Sequence, residues 1–271
     1  MMKFFTLAEL EWKKMLPFMT GVFSVGMLIH IWLVLKSISG YKEELLMAAQ
    51  EAQIPLEEYI QTASPAGLAM ILDQSPFSLV ILFFTALIFI MYGLFMWYKE
   101  WFGASKRIYM LLSIRGSRMR IFFSKLLPFT MAIMIFNGLL LVCLQIDTWM
   151  MQAILPEGSY VDNLFQDGLF NSIMMSLLFS QGLADFLYQI CFAMMMFTIM
   201  SVFVLLDRSK RIFGAMVGFI YGISTIVIFV YYKTLPLYTT EKIMADWAFV
   251  VFITLLSTGI SYFLLKKKIS I

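Results

Sequence analysis

Six runs of roughly 20 residues, at 16–35, 77–98, 126–146, 186–206, 212–232 and 247–265, contain no Asp, Glu, Lys or Arg. A run of about 20 apolar residues makes a helix of about 30 Å, the thickness of a bilayer's hydrocarbon core. Backbone amides in lipid must bond internally, so each run is expected to be a helix. The chain is 61% hydrophobic with a mean hydropathy of +0.86, more apolar surface than a soluble domain of 271 residues can bury. The expected fold is therefore an all-α polytopic membrane protein with six transmembrane helices.

Charge gives these crossings a direction. Sixteen of the 20 Lys and Arg residues fall before the first run, between the second and third, between the fourth and fifth, or after the last. Only Glu9, Glu11, Glu100 and Asp207 accompany them; the other 13 of the 17 acids fall in the alternate segments. Positive loops stay in the cytoplasm, so both chain ends are expected there. The outer segments are then 36–76 and 147–185. The first outer segment shows helical spacing at Leu45, Leu46, Ala49 and Ala52, punctuated by Pro55, Pro65 and Pro76. In the second, residues 164–183 are apolar enough to suggest a seventh crossing. Parity opposes it, because Arg208, Lys210 and Arg211 would then face outward. We expect an outer-surface or re-entrant amphipathic helix there. Neither segment is long enough to stand as a separate domain, and the chain reads as a single transmembrane domain, 1–271.

Residues 1–15 precede the first crossing. Phe4, Leu7, Ala8, Trp12 and Met15 fall near one helical face, with Glu9, Lys13 and Lys14 elsewhere. This pattern predicts an interfacial helix, with Pro17 opening the first crossing. The basic segment 99–125 is longer than the few residues a tight helical connection needs. Residues 104–114 can be helical, with Ile108, Leu111 and Leu112 on one face and Lys106 and Arg107 on another. Gly116 then breaks the helix and Ser117 can cap the next one.

Several chemistries lack their residues. No Gly-Lys dipeptide occurs, so a phosphate-binding loop of the Walker type is missing and the chain supplies no ATPase of its own. The single histidine, His30, excludes a His-based metal pair and has no evident acid partner in sequence. His30 in the first crossing and Asn137 in the third are the candidate contacts along a substrate pathway. Cys143 and Cys191 lie in apolar runs and are expected to be free thiols. No metal or cofactor is expected on this chain, and nothing suggests a nucleic-acid partner.

Taken together, several features resemble the permease subunit of type-2 ABC exporters. These are Glu100 soon after the second crossing, Gly103 nearby, a short amphipathic helix, the pair Ser117-Arg118, and the entry IFFSKLL (121–127) to the third crossing. The six-crossing plan and the interfacial helix match as well. The resemblance implies that residues 99–125 carry a coupling helix seated in a cleft of a separate ATPase. Glu100, Gly103, Lys106, Arg107 and Tyr109 would then be the contacts. It implies two ATPase subunits holding ATP and Mg, a second permease copy or a related permease, and a bacterial plasma membrane. The chain itself would not be an enzyme. Its cargo would be hydrophobic or amphipathic, such as antimicrobial or lytic peptides. A secondary transporter or channel, and a non-transporting anchor or sensor subunit, are the alternatives.

Overall fold

In a computed structural model the described residues are 2–102, 118–172, 175, 182–236 and 238–268. They are all-helical apart from turns and one isolated parallel bridge between Ala66 and Tyr160. The elements are α1 (Met2–Glu51), α2 (Leu56–Thr62), α3 (Leu68–Gln74), α4 (Pro76–Phe102), α5 (Met119–Ile154), α6 (Leu164–Asn171), α7 (Leu183–Lys233) and α8 (Thr239–Phe263). A π-helical turn, Leu264–Lys268, follows α8. Five segments are long and apolar enough to cross a membrane: Phe4–Glu51, Met119–Ile154, Ala184–Ser209, Ile212–Lys233 and Thr240–Lys266. The second expected crossing lies on α4, whose qualifying apolar stretch is the shorter Phe83–Lys99.

Three expectations are corrected. No separate interfacial helix precedes the first crossing, because α1 runs unbroken for 50 residues with Pro17 inside it. Such a helix is about 75 Å long, more than twice the hydrocarbon thickness. Proline removes one amide donor, yet the Leu-, Glu- and Met-rich flanks keep the helix going. The predicted face of Phe4, Leu7, Ala8, Trp12 and Met15 is the buried or half-buried one. The buried positions at the start of α1 are Ala8, Glu11, Met15 and Met19, while Phe5 is exposed. Second, Asp147 is helical rather than the start of a loop, since α5 extends to Ile154; α1 extends to Glu51, as the spacing of Leu45, Leu46 and Ala49 predicts. Third, no single helix covers 164–183. α6 ends at Asn171 and Ser172 is extended.

The described chain forms two compact units. One contains residues 1–17, 89–133 and 187–271. Its core joins α4, α5, α7 and the C-terminal turn through Trp97, Phe122, Phe129, Phe197, Leu205 and Leu265. The Phe129 and Phe197 rings are tilted by 36° with centroids 5.0 Å apart. Within this unit the run Leu183–Lys233 folds back on itself as two helical arms, 184–209 and 212–233. Residues 192 and 229 of a straight helix would lie about 55 Å apart, yet the Phe192 and Phe229 rings are 5.9 Å apart. A Cβ on Gly214 would overlap the Leu206 carbonyl, and one on Gly218 would press against Phe203. The two glycines let the arms meet backbone to backbone. The turn holds Asp207, whose carboxylate accepts from the Tyr98 hydroxyl at 3.3 Å, and Arg208, which lies over the Tyr98 ring. At the other end of the hairpin, Asp246 of α8 pairs with Lys233 at 2.6 Å and accepts from Tyr232.

The other unit contains residues 18–88 and 134–186. Here the two outer segments form a joint cap. The Ala66–Tyr160 bridge links them, and Asp167 of α6 accepts from the Ala69 amide at the start of α3, at 2.9 Å. Gly67 makes this approach possible, because a Cβ there would strike the Asp167 carboxylate. Gly168 sits equally close to Leu68 and Leu144. Ser172 donates to Asp73 at 2.9 Å, tying the end of α6 to α3. We expect Gly67→Ala to displace the Asp167 carboxylate and cost about 1 kcal/mol, the usual worth of a helix-capping side chain. Faster hydrogen exchange across α3 is the measurement; unchanged exchange there would show that Asp167 is not what holds the cap.

Candidate functional site

His30 lies in a buried stripe of α1 made by Met19, Phe23, His30, Val34 and Ile38. With the buried Gly26 between Phe23 and His30, these positions recur every three to four residues, so one face of the helix is turned inward. On α5 the matching stripe is Leu140, Leu144, Asp147 and Met151. The two stripes bring His30 and Asp147 together. Nε2 of His30 is 2.9 Å from Oδ2 of Asp147, and the side chains are 1% and 2% exposed. The remaining polar atoms, His30 Nδ1 and Asp147 Oδ1, are buried with no hydrogen-bond partner among the described residues. Around the pair, Gly26 approaches Thr85 of α4, Phe23 packs edge-on against Phe136, and Cys143 sits one turn before Asp147.

This corrects the sequence reading twice. His30 has an acid partner, 117 residues away along the chain. Asp147, expected as the first residue of an outer loop, is a buried helical residue. The signal for Asp147 was its register, since it continues the face of Leu140 and Leu144. Nothing in the sequence paired it with His30. Asn137 is buried on α5. It precedes Asp147 by ten residues, about 15 Å along a helix, so it is not brought beside His30.

A second buried polar cluster lies in the other unit, at the flanks of the basic segment. Lys125 near the start of α5 is 1% exposed. Its ammonium donates to the Met96 carbonyl of α4 at 3.0 Å and lies 3.5 Å from Glu11 Oε2. It also sits 5.4 Å from the centre of the Trp97 ring. The other oxygen of Glu11 accepts from Lys14 at 2.7 Å, so one carboxylate serves two cations. The Trp97 indole donates to Ser201 of α7 at 2.8 Å, and the Arg118 guanidinium donates to the Leu265 carbonyl at 2.7 Å. Lys125 and Glu11 read from sequence as ordinary interfacial charges. The overlooked signal is that Lys125 is the only charge in the apolar stretch 121–136. Of the expected ATPase contacts, Glu100 lies in the last turn of α4. Gly103, Lys106, Arg107 and Tyr109 lie outside the described residues.

A small apolar pocket of about 110 Å³ is lined by Cys191 and Met194 of α7 and by Val250, Val251, Thr254 and Leu255 of α8. Pockets for drug-sized ligands run to about 300–1,000 Å³, so this one holds at most a few methylene groups. Among the described residues no three His, Cys, Asp or Glu side chains gather as a metal site, and both cysteines are free thiols.

The fold defines a helical protein of membrane type. No family model matches the chain, and neither a curated protein nor a solved structure matches it.

Proposed function

We propose that this chain is the membrane-spanning permease subunit of an ATP-driven exporter, with six crossings and both ends on the cytoplasmic side. α4 is the crossing that completes the six. The observation that carries this reading is the clamp around the basic segment. Lys125 joins the end of α4 and the start of α5 to Glu11 of α1, Trp97 adds α7, and Arg118 adds the C-terminal turn. A force applied at the end of α4 and the start of α5 would therefore reach several helices at once. Moving a rigid body through such a lever is how nucleotide-driven closure can act on a membrane bundle.

In this reading Glu100, Gly103, Lys106, Arg107 and Tyr109 contact one of two separate ATPase subunits, which hold ATP and Mg. The pathway lies between two permease chains in a bacterial plasma membrane, and the cargo is hydrophobic or amphipathic, with lytic peptides as the favoured class. The test uses the tagged full chain purified from its native membrane. An ABC-type ATPase should co-purify, and the double charge reversal Lys106→Glu and Arg107→Glu should lower its recovery at least about tenfold, the effect of removing roughly 1.4 kcal/mol or more of contact energy. Recovery of the chain with no ATPase, or undiminished recovery with both charges reversed, would remove the assignment.

A second reading is a secondary transporter. The buried His30–Asp147 pair favours it, since ionisable groups inside membrane bundles mark ion pathways. Gradient-driven flux through liposomes holding this chain alone would select it.

A further inference from the structure

We propose that His30 and Asp147 form a proton-binding site inside the helix bundle, holding one exchangeable proton between them. The inference stands whichever transport reading holds. It rests on charge, space and isolation.

A neutral imidazole facing an ionised carboxylate leaves a net negative charge. Adding one proton makes the pair neutral, either as imidazolium with carboxylate or as imidazole with carboxylic acid. Adding a second makes it net positive. Burying net charge in an apolar interior is far costlier than burying a neutral pair. At 1% and 2% exposure, little bulk water reaches either group to offset that cost.

Within this unit the membrane-depth segments supply no other charge in sequence. The unit's parts of the crossings, residues 18–35 on α1, 76–88 on α4 and 134–147 on α5, contain His30, Cys143 and Asp147 as their only titratable side chains. The next cation along α1 is Lys36, six residues further on. The cap helices beside α5 carry Asp73 and Asp167, and both are engaged within the cap, with Ser172 and with the Ala69 amide and Asn171. No described group of three His, Cys, Asp or Glu can hold a metal at the pair. A proton is the cation that fits two enclosed side chains 2.9 Å apart. Parting α1 from α5 would admit water and release it, so any motion that separates these helices is linked to proton uptake and release.

The chain has one histidine, so a single set of imidazole signals reports on the site without assignment. The experiment is nitrogen NMR of histidine-labelled, aspartate-¹³C-labelled full chain in lipid nanodiscs, from about pH 5 to 8, where a free imidazole changes charge. Asp147→Asn removes one carboxyl signal and so identifies Asp147. Should that variant fail to fold, Asp147→Glu moves the same signal and serves instead. The expected result is that the imidazole and the Asp147 carboxyl together account for one proton across the whole range. In Asp147→Asn the imidazole should be neutral throughout. A neutral imidazole beside an ionised Asp147 at the upper end of the range would overturn the proposal, as would an imidazolium that persists in Asp147→Asn.

Discussion

Replacing Glu11 with Gln is expected to destabilise the protein by about 3–5 kcal/mol, the cost of removing one partner from a buried ion pair. Glu11 faces Lys125, an ammonium that is 1% exposed. Without the carboxylate that cation stays buried beside the Met96 carbonyl and the Trp97 ring. Both contacts are polar but carry no formal negative charge. The reverse change, Lys125→Met, should cost less, about 1–2 kcal/mol. Methionine fills a similar volume, and Glu11 retains Lys14 at 2.7 Å. The double variant should be more stable than Glu11→Gln alone, because it removes the buried ammonium together with the Glu11 carboxylate that faces it. Thermal melting of the four proteins in one lipid nanodisc gives the cycle. If Lys125→Met proves the more damaging single change, Lys125 is acting through its bond to α4 and not through Glu11.

The second large effect is expected at Gly214. The Leu206 carbonyl occupies the space a Cβ would take, and a backbone atom cannot step aside as a flexible side chain can. Gly214→Ala must therefore pry the two arms of α7 apart, at a cost of about 3 kcal/mol, the upper end for overpacking. Gly222 is the control. It lies on the same arm with nothing within 4 Å of its would-be Cβ. Gly222→Ala should leave stability unchanged or raise it by up to about 1 kcal/mol through better helix propensity. Equal behaviour of the two variants would mean that the hairpin does not close at Gly214.

The sequence placed the long apolar helices well because lipid imposes a harsh rule on length and charge. Every expected run except 77–98 lies within a segment long and apolar enough to cross. Proline also marked boundaries correctly in the outer segment, where Pro55 caps α2 and Pro76 opens α4. What failed in part was the assumption that charge ends a helix. It held at the cluster 207–211, where the chain reverses between the arms 184–209 and 212–233 and Tyr98 holds Asp207 beneath Arg208, but not on α5. Asp147 was assigned to a loop on that assumption. Its burial depends on His30, and no local pattern encodes a partner on another helix. The clamp at Lys125 was hidden similarly, since a lysine near a predicted membrane surface looks solvated until its neighbours are known. The cap was half visible. Both outer segments read as helical, but their union depends on Gly67 yielding space to Asp167.

The reversal within α7 bears on how the protein is made. A ribosome-bound chain normally threads one apolar segment and pauses at the polar stretch behind it. Here the arms 184–209 and 212–233 are separated by too little polypeptide for either to settle first and wait. On the topology proposed above, the two arms are expected to insert together as one hairpin, with the charged apex on the cytoplasmic side.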